Sequence, residues 1–275
     1  MFYNYNVDDM KSIMSINFKF FEKTPSELVN FVLENSKYLD GFEICVNYIN
    51  KYEIDYMFEI ANLCKKHSLH FQVHGDSSKD IDTQINFLES LYSIYDILEY
   101  PINVVLHPIT DNNHTLSTIK TIEYTSTITE IIDSSKIQIT LENLNDDLDD
   151  DRLNKEDITP IVCNNEKLFF TYDIGHEIDE YGAITDLNKE MIPLIKNIHL
   201  HSKTTNYEAG FDHDPIREDD PKWNEILKGI LFLKNNHYDG TIVFEYNLYK
   251  CIGDTLDDKI KDYLKSMDFV SLRFK

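Results

Sequence analysis

The chain has 275 residues, of which 42% are hydrophobic and 12% aromatic, and its 26 basic and 49 acidic side chains give a formal charge of −23. That length lies at the upper end of single-domain sizes, and the apolar content supports a sizeable core and argues against disorder. So large a negative charge repels polyanions, which disfavours nucleic acid and anionic membrane surfaces as partners.

Cys45, Cys64, Cys163 and Cys251 are scattered without a C-x-x-C pair. They imply neither a disulfide framework nor a thiolate zinc site, and read as reduced structural thiols. The first residues, MFYNYNVDDMKSIMSINFKF, lack a basic segment followed by an apolar one. No stretch approaches the roughly 18 apolar residues of a membrane span, so a cytoplasmic enzyme is the expectation.

In chain order, short runs rich in β-branched and aromatic residues alternate with segments of helical periodicity. The first strand is expected at Ile13–Phe18, followed by a helix at Pro25–Asn35 with Thr24 as N-cap, Pro25 in its first position and Glu27 closing a capping box. Strands at Gly41–Val46 and Leu69–His74 enclose a helix at Tyr52–His67. A helix at Ile81–Leu98 leads into a strand at Ile102–His107, and Ile137–Leu141 and Leu168–Tyr172 form the fifth and sixth strands. A helix at Asp186–Ile192 precedes the strand Asn197–His201, and helices at Trp223–Asn235 and Leu256–Ser266 lie on either side of the last strand, Gly240–Glu245.

Eight strand–helix units imply parallel strands with right-handed crossovers, and the fold class expected is α/β, a single (β/α)8 TIM barrel over residues 1–275. A doubly wound open sheet is the competing architecture. It is disfavoured because no G-x-G-x-x-G or G-x-x-x-x-G-K-[ST] follows the first strand. The run Asn145–Arg152 (NDDLDDDR) reads as a solvated acidic loop, with a second cation site as the minor alternative.

Strands five to eight read IQITLEN, LFFTYDIGH, NIHLHSK and TIVFEYN, each apolar run broken at its C-terminal end by a carboxylate or an imidazole. In a barrel those ends converge on the rim where active sites form. Burying Glu142, Asp173, His199 and Glu245 there without partners would cost several kcal/mol each, and a shared cation removes that cost. Three carboxylates and one imidazole suit Mn²⁺, Mg²⁺ or Co²⁺ and tolerate Zn²⁺.

His74 in FQVHGD, His107 in VVLHP, His176, His201 and His213 in GFDHDP are candidate additional metal or substrate ligands. Positions two apart in a strand share a face, so His199 and His201 can both point into the mouth. Glu43 is a candidate to orient substrate or a neighbouring ligand. Lys203 and Arg217 are candidate anchors for a hydroxyl or phosphate group, set against exposed loop cations. His67, His70, His114 and His237 receive no role.

These residues resemble the xylose isomerase-like TIM-barrel superfamily, which includes sugar and sugar-phosphate isomerases and epimerases, inosose dehydratases and the endonuclease IV proteins. The likeness covers nearly the whole chain from the second strand onward. In the ketose 3-epimerase branch a Glu, an Asp, a His and a Glu after strands five to eight hold the metal, matching Glu142, Asp173, His199 and Glu245. There the two glutamates also act as the acid/base pair. The resemblance therefore implies a metal-dependent isomerase or epimerase of a sugar or sugar phosphate, working through proton abstraction next to a carbonyl and a metal-stabilised enediolate.

The rival branch, the endonuclease IV-like (AP endonuclease family 2) zinc hydrolases of abasic DNA, uses three zinc ions and adds ligands whose places resemble His74, His107, His176 and His213. Its pattern also has an Asp two residues before the last histidine, where this sequence has Phe211, with Asp212 adjacent. That departure and the charge of −23 favour the small sugar as partner over nucleic acid. A barrel that binds a sugar or a metal without turnover is a further alternative. A homo-oligomer is left open.

Overall fold

The structure is a computed structural model that describes residues 10–46, 50–75, 80–111, 113–144, 152–177, 189–203 and 213–275. Eight parallel strands close into a barrel in sequence order, β1 Lys11–Ile16, β2 Gly41–Cys45, β3 His70–His74, β4 Ile102–Leu106, β5 Ile137–Glu142, β6 Leu168–Asp173, β7 Ile195–Leu200 and β8 Thr241–Phe244. The helices are α1 Pro25–Asn35, α2 Lys51–His67, α3 Ile81–Ser90, α4 Tyr92–Leu98, α5 His114–Ile131, α6 Lys155–Cys163, α7 Ile174–Glu177, α8 Trp223–Asn235 and α9 Leu256–Ser271. The expected (β/α)8 barrel is the fold observed.

Period-two alternation sorts each strand into a helix-facing and an interior-facing set. Met14, Phe42, Phe71, Val104, Leu141, Phe170, Ile198 and Phe244 face outward and are fully buried. They pack under helix faces such as Leu28, Val29 and Val32 of α1 and Ile260, Leu264 and Met267 of α9. Each such side chain contributes about 1.5–3 kcal/mol by leaving water.

The interior set is unusually polar for a barrel, whose interior is commonly filled by branched aliphatics. Gln72 Nε2 donates to Glu43 Oε2 at 2.7 Å. Thr241 Oγ1 lies 2.8 Å from Asn197 Oδ1, Asn197 Nδ2 donates to Thr171 Oγ1 at 3.1 Å, and Thr171 Oγ1 donates to Thr140 Oγ1 at 2.6 Å. This connected layer forms a hydrogen-bonded floor beneath the mouth.

The register between β6 and β7 shifts at Phe170/Thr171, with Phe170 opposite Ile195 and Thr171 opposite Asn197. Lys196 is thus the extra residue of a bulge, and its carbonyl accepts from Tyr238 Oη at 2.9 Å. The bulge moves Asn197, His199 and the following His201 into the interior phase.

The Thr24/Glu27 capping box and Pro25 start α1 as expected. The helix expected over Ile81–Leu98 is divided at Leu91, whose N–H donates to Leu88 O in a tighter turn. The last helix runs five residues past Ser266, to Ser271. Two helices whose bounds were not read from the sequence complete the ring. In α5, Thr125 and Thr129 return their hydroxyls to the carbonyls of Thr121 and Thr125, which masks the helix behind a strand-like composition. In α6, Pro160 interrupts the pattern. Of the segment expected as helix over 186–192, the described part belongs to a 3-10 helix, Lys189–Leu194, while the acidic run over 145–152 lies outside the described residues except for Arg152.

Candidate metal centre

The strand ends bring four carboxylates and six imidazoles into one cluster. Glu142 ends β5, Asp173 ends β6, His199 lies in β7 and Glu245 follows β8, and one ligand atom from each of the four lies within 4.8 Å of the others. His199 is central, with Nδ1 2.7 Å from Glu142 Oε1 and 3.1 Å from Glu245 Oε2. Its Nε2 lies 3.3 Å from Glu43 Oε2, the carboxylate that also accepts from Gln72. An Nε2–H donated to Glu43 leaves Nδ1 as a lone pair facing two carboxylates. That arrangement repels itself unless a proton on Nδ1 or a metal ion lies among the three.

Glu142 meets two more imidazoles through its other oxygen, with His74 Nε2 at 3.2 Å and His107 Nε2 at 3.1 Å from Oε2. His74 Nδ1 is turned to its neighbour, Gly75 O, at 3.2 Å, which commits the ring proton there. His74, His107 and Glu142 form a second group with metal-ligand proximity. A third comprises His176, His201 and His213.

Asp173 is held by a reciprocal pair, its N–H donating to Asn143 Oδ1 at 2.8 Å while Asn143 Nδ2 donates to Asp173 O at 3.1 Å. Oδ1 accepts the N–H of His176 at 2.9 Å, and Oδ2 is buried without a hydrogen-bond partner among the described residues. His176 Nδ1 lies 3.3 Å from that oxygen, and one oxygen of Asp173 lies within 4.8 Å of ligand atoms of Glu142, His199 and Glu245, a grouping that fits a cation.

The electrostatics are those of the protein without a metal. Burial alone would raise the carboxyl of Glu142, yet His199, His107 and His74 outweigh it and hold the group well below the usual carboxylate range. Glu245 follows the same pattern, burial against His199 and His213, and Asp173 is lowered against burial by His176 and His201. For His74, burial works downward, but Glu142, Glu245 and Glu43 together push it up to about 9. His199 is raised well above its ordinary value against the same burial, by Glu142, Glu245 and Glu43.

Among the other residues singled out from the sequence, Glu43 is fully buried against His199. Lys203 is half-buried just beyond Ser202. Arg217 is not part of the cluster. Its Nη1 and Nη2 donate to Asp262 Oδ1 and Oδ2 at 2.9 and 2.7 Å, so the expected anchor is engaged in an ion pair with α9. His114 pairs with Asp157 on the outer helices, and His70 is lowered to about 4 by burial. Phe211 and Asp212 lie outside the described residues.

Cys45, Gln72 and Asn143 were not singled out from the sequence. Cys45 joins Glu43 and Glu245 in a further group, and its thiol is pushed well above its ordinary value by burial and those two carboxylates. Alternation was the available signal, since Glu43 and Cys45, like Gln72 and His74, occupy the interior phase of their strands.

No protein-family model and no curated protein matches the chain. Solved structures do. A D-psicose 3-epimerase from Clostridium cellulolyticum H10, solved with D-tagatose, superposes with a TM-score of 0.64 at 14% identity, over 95% of this chain and 99% of the other. The 3-keto-D-glucoside 4-epimerase of E. coli gives 0.65 at 13% identity over 94% and 98%. A xylose isomerase domain containing protein from Salmonella typhimurium LT2 gives 0.68 at 15% identity over 96% and 98%. This chain shares the (β/α)8 barrel fold of these structures. Identities this low speak to the fold alone. The cluster occupies the C-terminal rim of the barrel, and among the described residues no helix is long and apolar enough to cross a membrane.

Proposed function

We propose that the protein is a metal-dependent isomerase or epimerase of a sugar or sugar phosphate. The observation that carries this reading is the pairing of Glu142 and Glu245 on one nitrogen of His199, which brings two carboxylates together at the rim of the barrel. The epimerases among the solved structures of the same fold support it. Glu142, Asp173, His199 and Glu245 would hold the ion, and their oxygen-rich donor set favours Mn²⁺, Mg²⁺ or Co²⁺ with Zn²⁺ tolerated. When bound, the ion supplies positive charge beside the oxygen on which negative charge develops.

One glutamate enters as a carboxylate and removes the proton from the carbon next to the substrate carbonyl, and the other returns a proton to that carbon. Each has an imidazole at the solvent edge to exchange protons with. His107, with a third of its side chain exposed, lies 3.1 Å from Glu142, and His213, similarly exposed, lies 3.6 Å from Glu245. Glu43 orients His199 and Asn143 orients Asp173. The test is exchange of that carbon's hydrogen for deuterium when the metal-loaded protein is incubated with a panel of ketoses, cyclitols and sugar phosphates in deuterated water. Absence of exchange with every member would sink the proposal.

One observation favours a second reading, a multinuclear zinc phosphodiester hydrolase. His74 and His107 both face Glu142, and His176, His201 and His213 form a separate group, so the mouth has ligands for more than one ion. The charge of −23 weighs against a nucleic-acid substrate. Cleavage of an abasic-site duplex by the zinc-loaded protein, without sugar exchange, would favour it.

A further inference from the structure

Cys45 is a side chain that the proposed chemistry leaves unused, on the arc of the mouth formed by β8, β1 and β2. Ser15, Glu43 and Cys45 occupy the interior phase of β1 and β2, with Ser15 opposite Glu43, and Glu245 follows β8, which pairs with the other edge of β1. One ligand atom each of Glu43, Cys45 and Glu245 lies within 4.8 Å of the other two. Cys45 Sγ is 3.0 Å from Ser15 Oγ, and the Ser15 N–H donates to Tyr263 Oη at 3.2 Å, so the sulfur is tied to a strand that α9 holds in place.

Two observations independent of the thiol point to a cation. Glu43 is fully buried, and its Oε2 accepts from Gln72 Nε2 and lies 3.3 Å from His199 Nε2, while its Oε1 has no hydrogen-bond partner among the described residues. A bare carboxylate oxygen in a dry interior is costly, and a bound cation recovers that cost. Charge balance is the other observation. Glu43, Glu142, Asp173 and Glu245 are all buried, and the group that would hold the first ion does not include Glu43. One divalent ion offsets two of these four negative charges. A second one beside Glu43 and Glu245 offsets the rest, leaving only the charge of a Cys45 thiolate.

We propose that Cys45, Glu43 and Glu245 form a cation site for a thiophilic divalent ion such as Zn²⁺ or Co²⁺, with Glu245 common to it and to the carboxylate-rich site of Glu142, Asp173 and His199. The sulfur sets the preference. Thiolate donors select Zn²⁺ over the hard ions Mn²⁺ and Mg²⁺, which carboxylates alone suit. As the metal–sulfur bond forms, the thiol proton passes to solvent, and the partial exposure of Cys45 gives the ion a way in from the mouth. The consequence for activity rests on the isomerase reading. There Glu245 carries a proton, so an ion drawing on the same carboxylate inhibits the exchange.

The test is titration of the chelator-stripped, reduced full-length protein with Co²⁺, followed by the sulfur-to-cobalt charge-transfer absorption in the near ultraviolet. The band is expected to grow and saturate in the unmodified protein and in Cys163→Ser, which lacks the exposed thiol, and to be absent from Cys45→Ser. Glu43→Gln should weaken the ion that gives the band at least about tenfold. Unchanged Mn²⁺ equivalents in Cys45→Ser show that its carboxylate-rich site is intact. X-ray absorption of the Zn²⁺-loaded unmodified protein needs no variant and should show a sulfur neighbour at about 2.3 Å. A titration without the band, a band of equal size in Cys45→Ser, or zinc with no sulfur neighbour would overturn the site. None of these readouts depends on solvent exchange at a sugar, so this proposal and the isomerase reading fail separately.

Discussion

Glu142 and Glu245, 103 positions apart in sequence, meet at Nδ1 of His199, 2.7 and 3.1 Å from it. Under the proposed chemistry each is both ligand and proton carrier. Glu142→Gln and Glu245→Gln keep the shape and remove the charge, and each is expected to lower the rate of solvent exchange into substrate by about 10²–10⁴-fold. Initial rates by NMR in deuterated water measure this. A change below threefold in both variants would show that neither glutamate moves the proton.

Glu43 meets His199 at its other ring nitrogen, Nε2, at 3.3 Å. Glu43→Gln should leave the number of ions bound unchanged while weakening affinity about 10–100-fold, the usual effect of disturbing a group that orients a ligand. Titration of the stripped protein with Mn²⁺ reads it, and an unchanged Kd would show that the contact does not tune the metal.

The metal-free protein should have a bell-shaped dependence of stability on pH. Glu142 and Glu245 are lowered in the folded state, so their contribution is present above about pH 4.5 and is lost as pH falls through the lowered values. His74 is raised to about 9, so its contribution is complete below about pH 6.5 and is lost as pH climbs through 9. Thermal melts with chelator should therefore show a maximum between about pH 4.5 and 6.5 and a decline toward pH 9. Saturating metal should remove the alkaline decline, because the ion takes the place of the protons. A flat profile with chelator would contradict the assignment.

Arg217 and Asp262 tie the loop after β7 to α9 through a forked ion pair. Arg217→Met is expected to cost about 1 kcal/mol of stability, as a partly exposed bidentate pair does, and to leave KM for any substrate unchanged. Urea denaturation and steady-state kinetics separate the two effects. A rise in KM of tenfold or more without loss of stability would restore Arg217 as a substrate anchor.

The polar floor gives a stability test away from the cluster. Asn197→Leu removes two hydrogen bonds from a buried layer, leaving Thr241 to Gln72 and Thr171 to Thr140, and is expected to cost about 1–3 kcal/mol. A neutral effect on the urea midpoint would show that the floor is maintained by other means.

The sequence alone determined the barrel and the carboxylate positions, because local chemistry writes both. Strand-length apolar runs recur eight times, and a charged residue at the end of such a run can be tolerated only at a rim. The α1 cap was equally local, since Thr24, Pro25 and Glu27 act within one turn. The tertiary structure decided which groups meet. Arg217 and His213 are near neighbours in the chain, yet one ends on Asp262 and the other beside His201, because a loop's path depends on what packs under it. The bulge at Lys196, which turns His199 and His201 inward together, depends on Tyr238 reaching its carbonyl from 42 residues away. Separate clusters of carboxylates and imidazoles in one mouth arise from such long-range register. Spacing along the chain carries no record of it.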